Sequence, residues 1–273
     1  MFPELFKIGS ITIPTYGFLL AIGVLLAIIL SIRTAKRENL DIKIFSDFMF
    51  YTIISGLLGA KLFLFIQNFQ FYTSRFSNLK NLLFEGGVFY GGLIFGAIFA
   101  IWYIKKNKLE FLFLGDIVAP SLALGHFFGR LGCYSAGCCY GAVAEECAIA
   151  VTFPADNNLI PNAGQMAPRY PVQLMEAILN LINFLVLYLI YRKKRSRFKG
   201  EIFILYIFNY SIIRFFIEYF RGDIDRGYVI GGLSHPLTSI STSQLISIFG
   251  FTLSIILYLR FRRKIGKEEN TEG

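Results

Sequence analysis

The chain has 273 residues, of which 55% are hydrophobic and only 16% are charged, and its formal net charge is +9. A soluble globular domain usually carries about a quarter charged residues, so the composition excludes an ordinary soluble domain and predicts a polytopic membrane protein. The net positive charge requires no nucleic-acid partner, because basic cytoplasmic loops beside anionic lipid account for it.

Apolar runs of about 17 to 25 residues predict seven membrane-spanning helices in one all-α bundle domain. The predicted spans are residues 11–32, 46–66, 87–104, 111–128, 172–191, 201–220 and 242–260. The domain is predicted to cover residues 1–265, followed by a solvated tail at 266–273. The first apolar run has neither a basic n-region nor a small-residue cleavage site, so it is predicted to be a retained helix.

Most lysines and arginines follow the first, third, fifth and seventh spans. The positive-inside rule places these loops in the cytoplasm. The amino terminus is therefore predicted to lie outside and the carboxy terminus inside. The longest extramembrane segment, 129–171, then lies outside, and its turn-rich composition predicts a small external cap.

A cysteine-rich stretch, residues 129–141 with the sequence GRLGCYSAGCCYG, follows the fourth span. The Arg130 guanidinium at a membrane boundary is costly to desolvate and suited to binding an anion; the alternative is a glycine-rich turn with a snorkelling arginine. The cysteines, on the predicted outer side where disulfides persist, are Cys133, Cys138, Cys139 and Cys147. Their spacing matches no common zinc pattern, so no metal site is predicted. A structural disulfide, a packing thiol and a reactive thiol all remain open.

The predicted sixth span carries charged residues that can share one helix face. Arg214 and Glu218 are four residues apart and can pair, and Arg221 follows one turn later. Ionisable residues inside spans are functional candidates by default. Two interpretations remain open: a structural ion pair between helices, or a charged wall around an anionic headgroup.

Other polar positions in the spans have mainly structural interpretations. Lys61 is expected to snorkel outward, and Asp116 to interact with the dipole at the start of its own helix. Gln173 and Glu176 either point inward or cap their helix. The glycines of residues 86–92 predict close helix packing of the small-xxx-small kind.

Six motifs occur in one order along nearly the whole chain. They are residues 16–17 (YG), 86–92 (GGVFYGG), 116–120 (DIVAP), 129–141, 171–176 (PVQLME) and the pattern Arg214-x-x-x-Glu218-x-x-Arg221. In these motifs the chain resembles the prolipoprotein diacylglyceryl transferases of bacteria, a family with seven spans and an external amino terminus.

The resemblance implies an enzyme of the bacterial cytoplasmic membrane with its active site toward the outer leaflet. The reaction it implies moves the sn-1,2-diacylglyceryl group of phosphatidylglycerol to the lipobox cysteine of a prolipoprotein signal peptide. A thioether forms and glycerol-1-phosphate leaves. The implied partners are this lipid, the signal peptide and the surrounding membrane lipids, with no nucleic acid, no cofactor and no metal.

The resemblance also implies roles for individual residues. Arg130 and Arg214 match the two essential arginines of the family, and Glu218 and Arg221 match the carboxylate and arginine that follow. Two guanidinium groups suit a phosphate-ester leaving group, whose developing charge they stabilise. The arginines are therefore predicted to be catalytic and, with the two following residues, to bind the lipid substrate.

Further positions match the family or depart from it. Tyr16 and Gly141 match other residues important in substrate binding. Tyr90 replaces a family histidine, which excludes a histidine base there and leaves a hydrogen-bond donor as its predicted catalytic role. Cys133 and Cys138 stand where well-known members have asparagine and glutamate, which indicates a branch difference.

Two other classes of function compete with the transferase. A lipid transporter or flippase would use the same arginine-lined cavity without chemistry. A structural membrane scaffold would use the glycines for packing and the arginines as anchors.

Overall fold

The computed structural model describes residues 4–8, 11–74, 82, 86–153, 167–193, 196–222, 227–231 and 239–272. The chain forms two compact units. The first comprises residues 1–30 and 115–273, and the second comprises residues 31–114. The single domain predicted for residues 1–265 stays a prediction.

The described chain is mostly helical. Its helices are α1 (Thr15–Arg37), α2 (Ile42–Gln67), α3 (Phe69–Ser74), α4 (Phe89–Lys106), α5 (Phe111–Ala136), α6 (Val172–Arg192), α7 (Glu201–Ile217), which continues as a 3-10 turn (Glu218–Phe220), and α8 (Thr242–Glu272). Among the described residues, six helices are long and apolar enough to cross a membrane: α1, α2, α5, α6, α7 with its 3-10 turn, and α8. These confirm a polytopic helical membrane protein. The helix predicted at 87–104 forms as α4, but its membrane crossing stays a prediction.

The first predicted span begins too early. Strands β1 (Glu4–Ile8) and β2 (Ile11–Pro14) form an antiparallel hairpin, and α1 begins only at Thr15. The stretch Ile11–Pro14 alternates β-branched residues, which favours a strand, and Pro14 has no N–H for a strand ladder. Apolarity alone does not distinguish this strand from the helix that follows it.

The fourth predicted span ends too early, because α5 continues from Phe111 to Ala136 and includes Arg130. Gly137 ends the helix in the left-handed conformation, with φ of 74°. Its N–H donates to the Tyr134 carbonyl, and the Cys138 N–H donates to the Cys133 carbonyl, at 3.2 Å each. These two bonds form a Schellman motif, which satisfies the last helix carbonyls. The stretch 129–141, for which a glycine-rich turn was one of two interpretations, is therefore helical as far as Ala136 and continues into the helix cap.

The carboxy-terminal elements also differ from the prediction. The sixth span changes from α-helix to a 3-10 turn at Glu218–Phe220. Strands β3 (Tyr228–Ile230) and β4 (Ile240–Ser241) pair antiparallel just before α8. The α8 backbone stays helical to Glu272, so most of the tail predicted at 266–273 is an extension of the last helix.

In the second unit, α2 and α4 pack through glycines. An added Cβ at Gly91 would lie 2.5 Å from the Gly59 carbonyl oxygen, and one at Gly92 would lie 3.2 Å from that of Gly56. This contact confirms the close packing predicted for the glycines at 91 and 92. The Lys61 ammonium does not simply extend outward, since it donates a hydrogen bond to the Leu82 carbonyl at 2.8 Å.

In the first unit, Asp116 on α5 caps a helix other than its own. Its carboxylate accepts hydrogen bonds from Gly200 N at 2.6 Å and Phe203 N at 2.9 Å, at the start of α7. The negative charge thus lies at the positive end of the α7 dipole rather than serving α5. Below this cap, α5, α6 and α7 pack around Ala123, Leu187 and Ile202. The predicted dipole interaction was therefore assigned to the wrong helix.

We expect Asp116→Ala to lower the thermal unfolding temperature of the purified protein. It leaves two backbone donors without an acceptor, at a cost of about 1–3 kcal/mol for each buried group. Asp116→Asn keeps one acceptor oxygen, so its unfolding temperature should lie between those of Asp116→Ala and the wild type. The comparison variant is Asp41→Ala, because Asp41 caps α2 at an exposed position. Asp41→Ala should lower the unfolding temperature less than Asp116→Ala does. A larger effect at Asp41 than at Asp116 would contradict the assignment.

Candidate functional site

Three arginines and two glutamates from three elements of the first unit form one ionic cluster. Glu176 on α6 lies between two arginines, 3.0 Å from Arg130 of α5 and 3.7 Å from Arg214 of α7. Glu218 lies 2.8 Å from Arg214 and 4.0 Å from Arg221. The structure therefore brings together four of the predicted site residues and confirms the predicted Arg214–Glu218 pair. We call these five side chains the arginine cluster.

The arginine cluster is deeply buried and positively charged. The Glu176 and Glu218 side chains are only 3% and 2% exposed. Buried charges are tolerated when they are paired, and each carboxylate here contacts two guanidinium groups. Taken by themselves, the three guanidinium groups and two carboxylates of the cluster sum to one positive charge. Arg130 keeps the largest exposed fraction of the arginines, 21%, so the cluster remains accessible from its side.

Polar neighbours hold the arginines in place. Arg214 Nη2 donates to Ser243 Oγ on α8 at 3.0 Å. The Tyr210 hydroxyl lies close to the Arg130 guanidinium. Gln173, one turn before Glu176 on α6, donates from Nε2 to the Cys138 carbonyl at 2.8 Å. One face of α6 thus orients both Arg130 and the loop that ends α5.

Glu176 and Gln173 were not among the residues predicted to form the site. Both are buried, which settles the choice left open by the sequence in favour of inward-pointing side chains. The sequence did contain one indication of Glu176: a carboxylate inside an apolar span is energetically unfavourable unless it has a partner. The pairing itself joins helices that are distant in sequence, and no helical spacing predicts it.

Three segments of backbone cross beside the cluster, with glycine at two of the contacts. Gly141 forms an antiparallel bridge with Arg221, and the Tyr170 N–H donates to the Ala142 carbonyl at 3.0 Å. A Cβ at Gly141 would overlap the Tyr170 carbonyl oxygen, and one at Gly222 would lie 2.5 Å from the Gly141 carbonyl oxygen. Gly141 thus lets the segments that carry Arg221 and Tyr170 approach each other, and its predicted role in substrate binding stays a prediction.

The segment after α5 forms a small layer around this crossing. Val151 pairs with Arg169, and Tyr140 packs against Phe153. The Arg169 guanidinium lies 4.7 Å from the centre of the Tyr140 ring. This layer corresponds to part of the predicted cap; its external location stays a prediction. The remainder of the predicted cap, residues 154–166, lies outside the described residues.

Tyr16 lies at the start of α1 and packs on the last turns of α5. A Cβ at Gly132 would lie 2.9 Å from Tyr16 Cδ2. The Tyr16 phenol interacts electrostatically with Arg130 and with Cys133, and its side chain is 38% exposed. The structure thus places Tyr16 beside the arginine cluster, with its ring against the helix that carries Arg130.

Tyr90 belongs to the second unit. It lies in the first turn of α4, is 52% exposed, and its ring packs edge-on against Phe89. The predicted catalytic role of Tyr90 stays a prediction.

Three of the four cysteines meet at the end of α5. The Sγ atoms of Cys133, Cys138 and Cys139 lie within 4.8 Å of one another. Hydrogen bonds with the other two thiols, together with the nearby guanidinium groups of Arg130 and Arg221, lower the pKa of the Cys139 thiol. Cys147 is not part of this group. The three thiols therefore lie close together although their spacing in the sequence matches no common zinc pattern.

An apolar groove runs between α7 and α8 beside Arg214. Its volume is about 350 Å³, and it is lined by Ser211, Ile212, Phe215, Phe216, Ser247, Ile248 and Phe251. Ser211 and Phe215 flank Arg214 on the same helix. The groove is apolar enough to hold a hydrocarbon chain, and the helix that forms one of its walls also carries Arg214.

The apolar helices and the arginine cluster define a polytopic helical membrane protein with a buried, positively charged site. Comparison with known proteins gives its family. The model of the prolipoprotein diacylglyceryl transferase family matches residues 3–260. The chain belongs to this family.

Individual relatives match along nearly their whole length. Phosphatidylglycerol–prolipoprotein diacylglyceryl transferase 2 of Clostridium perfringens is 36% identical over 266 residues, which cover 96% of this chain and 98% of the relative. The phosphatidylglycerol–prolipoprotein diacylglyceryl transferase of Clostridium tetani is 33% identical, covering 97% of this chain and all of the relative. These relatives agree with the family resemblance read from the motifs.

Two glycines in the last turns of α5 should respond differently to alanine. Gly132→Ala places a methyl group against Tyr16, and overpacking of this kind costs about 1–3 kcal/mol. Gly129→Ala is its matched control, because an added Cβ there meets nothing within 4 Å. We expect a lower unfolding temperature for the first variant and an unchanged or higher one for the second, measured in the same detergent. Equal effects would contradict the contact between Tyr16 and Gly132.

Proposed function

We propose that the chain transfers the sn-1,2-diacylglyceryl group of phosphatidylglycerol to the lipobox cysteine thiol of a prolipoprotein signal peptide. The products are a thioether on the acceptor and free glycerol-1-phosphate. The names of the relatives support this reaction, and the arginine cluster provides the chemistry it requires.

The convergence of three guanidinium groups on two buried carboxylates, which sum to one positive charge, is the observation that carries the proposal. A phosphodiester headgroup has one negative charge and therefore balances the cluster. When the bond from carbon to the phosphate oxygen breaks, the leaving phosphate gains a second negative charge. Guanidinium groups held in advance by Glu176 and Glu218 stabilise this charge without reorganisation, which lowers the barrier.

Arg130 and Arg214 are the catalytic pair in this proposal, and Glu218 and Arg221 complete the binding site for the lipid. Bidentate guanidinium groups match the geometry of phosphate oxygens. Tyr16 binds substrate beside Arg130, Gly141 keeps the crossing segments close, and Tyr90 donates a hydrogen bond during the reaction. The apolar groove next to Arg214 accommodates an acyl chain while the headgroup lies at the cluster.

The topology belongs to the same proposal. Seven spans, with α4 as the third, put the amino terminus outside and the carboxy terminus in the cytoplasm of a bacterium. The asymmetry of lysine and arginine in the loops supports this orientation. The arginine cluster then faces the outer leaflet of the cytoplasmic membrane, where a translocated signal peptide presents its cysteine.

The test is incubation of the purified full-length protein with phosphatidylglycerol vesicles and a lipobox peptide. We expect mass spectrometry to detect the peptide with one added diacylglyceryl group and an equal amount of released glycerol phosphate. Release of glycerol phosphate without lipidated peptide would indicate a lipase instead. Movement of lipid between leaflets without either product would favour the transporter alternative.

Arg130→Ala and Arg214→Ala should each reduce peptide lipidation by about 100-fold or more, the usual effect of removing one donor from a developing oxyanion. Arg37→Ala is the control, since Arg37 ends α1 outside the arginine cluster. Unfolding temperature and membrane insertion are measured in parallel to exclude misfolding. Retention of activity by both cluster variants would overturn the arginine mechanism.

A further inference from the structure

The three thiols at the end of α5 are placed by backbone geometry rather than by chance proximity. In a Schellman motif the residue after the left-handed glycine lies over the residue five positions earlier. Here these residues are Cys138 and Cys133, joined by the hydrogen bond from Cys138 N to the Cys133 carbonyl. Cys139 then adopts a left-handed conformation with φ of 57°, which is uncommon for a residue other than glycine. The strained turn directs the third Sγ toward the other two.

The resulting triangle of sulfur atoms fits a zinc ion. Zn–S bonds of about 2.3 Å in a tetrahedral site separate the sulfur atoms by roughly 3.8 Å. The three Sγ atoms lie within 4.8 Å of one another, so small side-chain rotations suffice to bring them to that spacing. Three thiolates and Zn²⁺ carry one net negative charge, and the field of the nearby Arg130 and Arg221 guanidinium groups lowers the cost of holding that charge there without neutralising it.

A site of three protein ligands leaves one zinc position open, as in catalytic rather than structural zinc sites. Arg130 lies three residues before Cys133 on α5, so both side chains project from one face of the helix. The open position is therefore beside the residue proposed to hold the lipid phosphate.

The described acidic and imidazole groups near the cluster are already engaged. Glu176 and Glu218 each contact two arginines, so both carboxylates already have ionic partners. His126 shares a hydrogen bond with Tyr206 through Nδ1. An acceptor thiol near Arg130 therefore needs another means of losing its proton, and coordination to a metal ion is one of the established routes.

We infer that Cys133, Cys138 and Cys139 hold a zinc ion whose fourth ligand is the sulfur of the acceptor cysteine. This inference rests on the proposed transferase function and names the group that activates its nucleophile. A zinc-bound thiol is deprotonated outright, so the acceptor enters the reaction as a thiolate.

The step balances without a redox partner. The acceptor thiol releases its proton to solvent as its sulfur binds zinc. The zinc-bound sulfur then forms a bond to the glycerol carbon attached to the phosphate. The bond from that carbon to oxygen breaks, its electron pair stays on the phosphate held by Arg130 and Arg214, and the thioether product leaves the metal.

The test starts from full-length protein isolated under reducing conditions and stripped of metal by a chelator. Titration with Zn²⁺ should give one tightly bound ion per chain. Cys133→Ser, Cys138→Ser and Cys139→Ser should each weaken Zn²⁺ affinity by at least about 100-fold, which is more than the loss of a residue that only hydrogen-bonds to a metal ligand usually causes. The matched control is Cys147→Ser, since Cys147 lies outside the triangle and should leave affinity unchanged.

A measurement on the unmodified chain does not depend on the folding of the variants. Loading with Co²⁺ instead of Zn²⁺ should produce an absorption band from thiolate-to-cobalt charge transfer. A lipobox peptide should increase the band by adding a fourth thiolate, and the same peptide with serine in place of its cysteine should not. The absence of stoichiometric metal binding, or equal responses to the two peptides, would overturn the inference.

Peptide lipidation measured on the same samples separates the two proposals. Transfer that survives complete removal of zinc would leave the transferase function standing and overturn the metal site. Cysteine-dependent zinc binding with a peptide-specific cobalt band, but without lipid transfer, would support the metal site and overturn the transferase function. A disulfide within the triangle in protein taken directly from membranes would also overturn the metal site.

Discussion

The buried carboxylate of Glu176 is the interaction on which the site depends. It contacts Arg130 from α5 and Arg214 from α7, so one side chain on α6 joins three helices at the depth of the site. Removing one partner of a buried ion pair leaves an uncompensated charge, which is more costly than the pair is stabilising. Glu176 therefore stabilises Arg130 in the protein interior and, together with Glu218, Arg214, so the positions of both arginines are set before any ligand binds.

Around that carboxylate, the chain uses backbone contacts where side chains would be too bulky. The Schellman motif at Gly137 stops α5 just past Arg130 and turns the chain toward α6, where Gln173 holds it through the Cys138 carbonyl. Gly141 and Gly222 then let three backbone segments cross within hydrogen-bonding distance. The result is a rigid frame close to Arg221, and rigidity is what electrostatic stabilisation of a developing charge requires.

Features set by local sequence were predictable, and features set by tertiary contact were not. Long apolar runs predicted most helices, and the spacing of four predicted the Arg214–Glu218 pair. The capping of α7 by Asp116 joins residues 84 apart, which no periodic pattern reveals. The strand at Ile11–Pro14 was hidden within an apolar run. The proximity of the three thiols was not predicted, because the common zinc-binding sequence patterns do not include cysteines that a Schellman motif brings together at the end of a helix.

The two carboxylates of the arginine cluster also limit how strongly it binds anions. Three unpaired arginines would hold the doubly charged phosphate product more tightly than the singly charged lipid and would slow its release. With Glu176 and Glu218 present, the five side chains sum to one positive charge, which in the proposed mechanism equals the charge of the lipid headgroup and is exceeded by that of the phosphate product. Catalysis requires stronger binding of the transition state than of the ground state, not tight binding throughout. In the proposed mechanism the carboxylates therefore serve turnover as well as folding, since they position the guanidinium groups and moderate their charge.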